Sequence, residues 1–569
     1  RNQWKGRNMR KFLRDKSSHI IFICVLLIQI IFMIFYCDMK KGYFVDELWS
    51  YGLSNSYYHA QIWEDGALDN PEISPDMFKE YMTVNEGEAF KFGSVIYNQT
   101  HDSHPPLFYM VLHAISSCFP GQFSKWFGLI PNLLYYAVTI IFLYKIGKLI
   151  KKDKYFAFFP VLFFGFSIAA VNMVTYIRMY MLLTMWCTIF AYEHLEMMAS
   201  RKIKMKNLIS ILLATFGGVF THYYFVIFAF PMVIFQMIWM IMRKDFKMTG
   251  KYVVSGGVGG VCAVALYPAI LKNLTGTGVS HSQKTLQNMH NFSDWTSRIR
   301  KFWVIVSEEM FGGVFMLLLI VCCLGILAYL ITQVLWEMKL QYHADHYEIA
   351  VNNKEHTKTV YVKVKRETYL ICDIILTCAF VFVISAKISP WQVNRYIMNL
   401  FPFLSLLFCY LLYFIYKLWI KNKAKIQIAM VISMMLIGGL TYYVNDPCYL
   451  YPEGENNIAI SKEYTDTTCL YVYTTSYIMI NEGLELQNYQ RLYQMYYKDL
   501  DIKVPDVSIE NSKLVVYLDR ILDKKYDDLG EKVTMDPEKC LEKIQKLTGL
   551  KNSKELYQDE KAYVYELYN

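Results

Sequence analysis

The sequence predicts a polytopic α-helical membrane protein that ends in a small α/β domain. Three observations carry that expectation. Of 569 residues, 54% are apolar and only 19% charged, at a mean hydropathy of +0.21. A soluble domain of this size rarely carries so much apolar sequence. Apolar runs of about 20 residues, enough to cross a bilayer, recur and are bounded by Lys and Arg. Charge is also divided unevenly: residues 445–569 hold 15 Lys and Arg against 23 Asp and Glu, and the remainder holds 43 against 26. An acidic tail behind a basic membrane part does not suggest nucleic-acid binding. It suggests basic loops in the cytoplasm and a tail outside.

The expected organisation is a membrane domain over 1–444 and an extracytoplasmic domain over 445–569. Residues Arg1 to Lys16 are basic, which places the N-terminus in the cytoplasm. Ile20–Tyr36 is the first span; it lacks a small-residue cleavage site and reads as an uncleaved anchor. A long outer loop is expected over 38–125. Within it, Pro105–Phe119 is apolar but too short to cross the ~30 Å core. If it did cross, the next span would end outside with Lys145, Lys148, Lys151, Lys152 and Lys154, against the positive-inside rule. It is therefore expected as a helix in the outer interface, with two prolines at its start where no N–H is needed.

The later spans then alternate. They are Trp126–Ile150, Tyr155–Ala170, Val174–Ala199, Leu208–Phe220, Tyr223–Met242 and Tyr252–Leu271. An outer loop runs to about Met310, and after it come Phe311–Trp336, Tyr369–Ser385, Tyr396–Trp419 and Ile426–Val444. That makes about eleven transmembrane helices. Inner loops carry Arg201, Lys202, Lys204 and Lys206, then Lys354, Lys358, Lys363, Lys365 and Arg366. In the tail, Leu470–Tyr473, Lys513–Leu518 and Ala562–Leu567 read as strands, and Tyr477–Tyr489 and Pro537–Leu547 as helices. Ten of the 13 cysteines lie before residue 445, mostly in apolar runs; Cys448, Cys469 and Cys540 lack metal-type spacing and leave one tail disulfide open.

With this topology the unusual polar residues fall on one side. Asp46 and Glu47 come just after the first span in Val45-Asp46-Glu47-Leu48-Trp49-Ser50. His104 opens the interfacial helix in Asp102-Ser103-His104-Pro105-Pro106-Leu107-Phe108-Tyr109. Arg178 lies one turn inside a span in Tyr176-Ile177-Arg178-Met179-Tyr180, and Thr221-His222-Tyr223-Tyr224 forms an outer hairpin. Lys387, Trp391, Arg395 and Tyr396 flank the last outer loop. Each has a plain reading: a solvated loop start, a capping histidine, a snorkelling arginine, an interface anchor. Their shared face favours a site, because a random scatter would populate both faces, and a charge inside a span, costing ~2.5–3.5 kcal/mol at mid-depth, is a functional candidate by default.

The ordered set is an acidic pair after the first span, Asp-x-His-Pro-Pro-Leu-x-Tyr, Arg-Met-Tyr, Thr-His-Tyr and a late Arg-Tyr. It resembles the membrane glycosyltransferases of the GT-C superfamily. More narrowly it is similar to bacterial members of the protein O-mannosyltransferase and aminoarabinose transferase branch, glycosyltransferase families 39 and 83. The resemblance covers Ile20 to Phe414 and leaves the tail out.

It implies a sugar donor on a polyprenyl phosphate, undecaprenyl phosphate in a bacterium, used at the outer face of the cell membrane. Asp46 takes the family's catalytic place, as general base on an acceptor hydroxyl, with Glu47 as the neighbour that shares or takes the role. The reaction is one inverting displacement; adjacent carboxyls seldom straddle a bond as a retaining pair does. Arg178 and Arg395 are the candidates for the leaving phosphate, with His104, Lys387 and His222 behind them and Tyr223 and Tyr396 on the substrate. Some members use a divalent metal, Mg or Mn, and Asp46, Glu47, Asp102 and His104 offer ligand types for one. Phe108-Tyr109 replaces the Gly-Lys of the eukaryotic mannosyltransferases, which counts against a protein Ser/Thr acceptor. The acceptor, whether envelope glycan, lipid or protein, stays open. Two rival classes are a lipid or glycolipid transporter and a non-catalytic scaffold.

Overall fold

The computed structural model describes residues 2–66, 69–151, 153, 155–274, 280–335, 366–474, 476–501, 512–520 and 536–569. Lys152, Lys154, Trp336 and the basic residues Lys354, Lys358, Lys363 and Lys365 lie outside the described residues.

The chain is a helical bundle with a six-stranded sheet at its C-terminal end. Seven described helices are long and apolar enough to cross a membrane: Ser18–Met39, Trp126–Ile150, Tyr224–Met242, Phe246–Leu266, Arg366–Ile388, Met398–Trp419 and Lys423–Val444. Two bent pairs bring the number to nine. Phe158–Gly165 turns by 61° into Ile168–Thr175, and Trp295–Phe311 turns by 80° into Phe315–Ile331. The other two expected spans are the helices Tyr180–Ser200, which carries Glu193, His194 and Glu196, and Met205–Val219, of only 15 residues. The loop expected to reach Met310 is instead helical over Ser280–His290 and Trp295–Phe311. Gly312 and Gly313, both at positive φ, end that second helix and make the sharp turn.

The short helix Val45–Asn55 starts at the acidic pair, where carboxylates complement the partial positive charge of an N-terminus. Glu47 folds back to accept the Phe44 N–H at 2.7 Å, half of a capping box. At the far side of this helix, Gly52 lies against Tyr81, whose hydroxyl donates to the Ala60 carbonyl at 2.8 Å. A Cβ on Gly52 would stand 1.8 Å from the Tyr81 ring. Gly52→Ala is therefore expected to cost about 1–3 kcal/mol through overpacking, read as a lower thermal midpoint in detergent.

In the tail, β2 (Thr468–Tyr473) sits between β3 (Arg491–Tyr496) and β4 (Lys513–Asp519), all parallel. Their apolar runs suit strands covered on both faces. β6 (Ala562–Tyr568) pairs antiparallel with β4, and β5 (Asn552–Gln558) pairs with β6 at one edge. At the other edge stands β1, only Glu72–Ile73, contributed by the first loop and antiparallel to β3. Glu72 also accepts a forked pair of bonds from Arg491 at 2.7 and 2.8 Å. The loop and the tail thus share one sheet. The expected helix Tyr477–Tyr489 is a 3₁₀ segment, Ser476–Glu482, running into the short helix Gly483–Leu486. The expected helix Pro537–Leu547 runs Pro537–Thr548, and all 13 cysteines are free thiols.

Candidate active site

The helix Val45–Asn55 turns Asp46 toward a cavity of about 1000 Å³ at one end of the bundle. Arg395 donates to Asp46 Oδ2, and the Tyr176 hydroxyl donates to the same oxygen at 3.1 Å. The Asp46 side chain keeps 24% of its surface open, and no described residue bonds its Oδ1. Burial pushes this carboxyl up, but Arg395 and then Arg178 pull it down further, so it lies below its ordinary range.

Tyr176 and Arg178 come from a break in the helices. The sequence places Arg178 on a span; the structure ends one helix at Thr175 and starts the next at Tyr180. The break frees the Ile177 N–H, which donates to Glu47 Oε1 at 2.7 Å. Arg178 Nη1 bonds the Asp46 carbonyl at 3.2 Å and Ser50 Oγ at 3.0 Å. Glu47 itself is fully buried beneath the cavity, where Lys40 Nζ meets its Oε2 at 2.9 Å. Its oxygens are held by Lys40 and two backbone N–H groups, and it does not line the cavity. Its position fits a brace for the break, not a base.

Opposite Asp46 lie the histidines. His104 Nδ1 bonds Asp102 Oδ2 at 2.8 Å, and its ring is 5.4 Å from that of His222. Burial lowers the pKa of His104 against the pull of Asp102, and it lowers that of His222 well below the ordinary value. His222 Nδ1 accepts the Tyr224 N–H at 3.1 Å, so the proton of the neutral ring sits on Nε2. That Nε2, Arg178 Nε and Arg395 Nε are buried and have no hydrogen-bond partner among the described residues. Two guanidinium groups and an imidazole that line one cavity and keep unpaired N–H groups offer the donor chemistry that an anion needs.

Of the sequence candidates, Asp46, Asp102, His104, Arg178, His222, Tyr223, Arg395 and Tyr396 all line this cavity. Arg395 and Tyr396 stand in a 3₁₀ turn, Asn394–Tyr396, rather than at the start of the span. Lys387 does not line it: its ammonium bonds the Asn291 carbonyl and lies 3.8 Å from the Phe292 ring centre. No group of three or more His, Cys, Asp or Glu suited to a metal ion occurs among the described residues. Asp46 faces two arginines and Asp102 faces His104, so these carboxylates do not converge as ligands.

Sequence reasoning passed over Tyr176, although it stands two residues before Arg178. It also passed over Lys40, a lysine at what is expected to be the outer end of a span, where the positive-inside rule disfavours one. Ile478 and Asn481 of the tail line the cavity as well, and nothing in their sequence marks them. Nor are ionisable side chains confined to one end of the bundle. Asp373, within the Arg366–Ile388 helix, is fully buried, and neither of its oxygens has a partner among the described residues. Tyr176→Phe removes one donor from Asp46 but keeps the ring. A hydrogen bond to a charged group is worth about 1.5 kcal/mol or more, so turnover of any reaction at Asp46 is expected to fall about tenfold.

No protein-family model matches the sequence, and no curated protein matches it. Among solved structures, the chain is similar to ArnT from Cupriavidus metallidurans bound to undecaprenyl phosphate. The identity is 11% over 97% of this chain and 98% of that one, with a TM-score of 0.44. ArnT from the same organism in the apo state gives 0.46 at the same identity and coverage.

Proposed function

We propose that this protein is an inverting GT-C-type glycosyltransferase that moves a sugar from a polyprenyl-phosphate carrier to an acceptor hydroxyl. The observation that carries the reading is one cavity lined by the Asp46 carboxylate together with Arg178, Arg395 and His222, side chains that carry N–H donors without partners among the described residues. Asp46, with Oδ2 held and Oδ1 open, takes the proton of the acceptor hydroxyl. The hydroxyl oxygen forms its bond to the anomeric carbon as the bond from that carbon to the phosphate oxygen breaks. The electron pair leaves with the phosphate, which Arg178, Arg395 and His222 receive. No step needs a metal ligand from these residues. A long apolar tail has a way out, since Val226 and Ile227 of the Tyr224–Met242 span line the cavity and Val226 is 43% exposed. The cavity would then lie at the outer face of the cell membrane, with the N-terminus inside and the C-terminal tail outside.

The test is donor turnover. Purified protein is offered a panel of polyprenyl-phosphate sugars with an envelope extract as acceptor, and released polyprenyl phosphate is measured. Release with one sugar, with that sugar on a new acceptor, supports the reading. Folded protein that releases nothing from any donor would turn attention to a transporter or a scaffold.

A further inference from the structure

The stretch that joins the last span to the tail passes directly beneath the Asp46 site. Tyr449, 7% exposed, is its centre. Its ring lies flat on that of Tyr176, with centres 4.0 Å apart and planes within 9°. Its hydroxyl donates to Asn394 Oδ1 at 2.8 Å, and Asn394 precedes Arg395 in the same turn. Its carbonyl accepts from Lys40 Nζ at 2.7 Å, and Lys40 holds Glu47, which holds the Ile177 N–H. The partners of Asp46 thus trace back to one residue along two routes: Tyr176 by stacking and Arg395 through Asn394. A third, through Lys40 and Glu47, fixes the break that carries Tyr176.

The turn under Tyr449 is fixed from the other side too. Asn394 Nδ2 donates to Glu309 Oε1 at 2.7 Å, and Asn172 Nδ2 donates to Glu309 Oε2 at 3.2 Å. The Cys448 N–H donates to Asn172 Oδ1 at 2.9 Å. The linker is therefore bonded to two separate parts of the bundle, at Asn172 and Asn394, that meet on the single carboxylate of Glu309.

We propose that Tyr449 is a positioning residue for the transferase site, holding Tyr176 and Arg395 in register on Asp46. This rests on the transferase reading. It also makes the tail's attachment part of the active site: a displacement of the linker reaches Asp46 through its two donors. Misplacing a catalytic group by about 1 Å costs on the order of 100-fold in rate.

Tyr449→Leu is expected to lower kcat about 100-fold with a much smaller rise in the KM for the donor, because of the groups that meet the phosphate only Arg395 is held through Asn394. Tyr449→Phe keeps the stack and loses only the bond to Asn394, so it retains about a tenth of the wild-type kcat or more. Adding Tyr176→Phe to Tyr449→Leu costs little further, since both act through the same oxygen of Asp46. Hydrogen exchange gives a readout independent of turnover. In Tyr449→Leu the amides of 172–180 exchange faster, while those of strand β4 do not. A Tyr449→Leu enzyme within about threefold of wild-type kcat, a loss carried by KM alone, or losses that multiply in the double variant would each overturn the proposal. If the wild type releases nothing from any donor, the transferase reading fails. The exchange arm still decides the positioning role, and unchanged protection over 172–180 overturns it.

Discussion

Replacing Asp46 by asparagine is expected to lower donor turnover by about 10²–10⁴-fold, the worth of a positioned general base, while the protein stays folded. The amide is nearly isosteric, and its oxygen still accepts from Tyr176 and Arg395. Asp46 keeps 24% of its side-chain surface open to the cavity, so water screens the charge that Arg395 loses. What asparagine cannot do is take a proton. Glu47→Gln is the control: Glu47 has no oxygen on the cavity, so this change acts on stability first. An enzyme that survives Asp46→Asn but loses turnover with Glu47→Gln at unchanged stability would reverse the two roles.

The expected pH profile is flat near neutrality. Arg395 and then Arg178 outweigh burial and hold the Asp46 carboxyl below the ordinary carboxylate range. It is therefore ionised and able to accept a proton throughout the neutral range. The same depressed value adds stability above the unfolded pKa, which is lost only as pH falls through the folded one. Burial pushes His104 below the ordinary histidine range and His222 well below it, which favours the neutral rings at neutral pH. Turnover is expected to be level from about pH 6.5 to 8. A rise on the acid side of the ordinary histidine range, retained in Asp46→Asn, would assign the base to His104 instead.

The spans and the acidic pair are legible because they obey local rules. Hydropathy over about 20 residues marks a span whatever its neighbours do, and a charge in an apolar setting is conspicuous in any fold. The 61° and 80° bends leave less trace, because each depends on how neighbouring helices pack. Asp46 and Arg395 are 349 positions apart and meet only once the bundle closes. Glu47 shows the limit most clearly. As a neighbour of Asp46 it looks equivalent in sequence. On a helix, however, successive residues point about 100° apart, so one carboxylate faces the cavity and the other goes under it to Lys40. The same geometry hides the tail's part: Tyr449, Ile478 and Asn481 belong to an acidic extension without a motif, and contacts distant in sequence, at the sheet edge Glu72–Ile73 and at Lys40 and Asn394, bring that extension to the site.

Lys40→Met is expected to be the most destabilising single change near the site. Lys40 and Glu47 are both fully buried, and their charges meet at 2.9 Å. Removing one member of such a pair typically costs about 3–5 kcal/mol, because the remaining charge is stranded away from water. Glu47 would keep the Phe44 and Ile177 N–H groups, each at 2.7 Å, which puts the loss toward about 3 kcal/mol. Methionine fills the space of the lysine stem, so the effect is one of charge rather than of a cavity. The double variant Lys40→Met/Glu47→Gln separates the two causes. With no stranded charge it should recover at least half of the thermal midpoint lost in Lys40→Met. Turnover need not recover with it, because a glutamine holds the Ile177 N–H more weakly and loosens the break that carries Tyr176 and Arg178. A double variant no more stable than Lys40→Met would show that the lysine acts through its bond to the Tyr449 carbonyl rather than by neutralising Glu47.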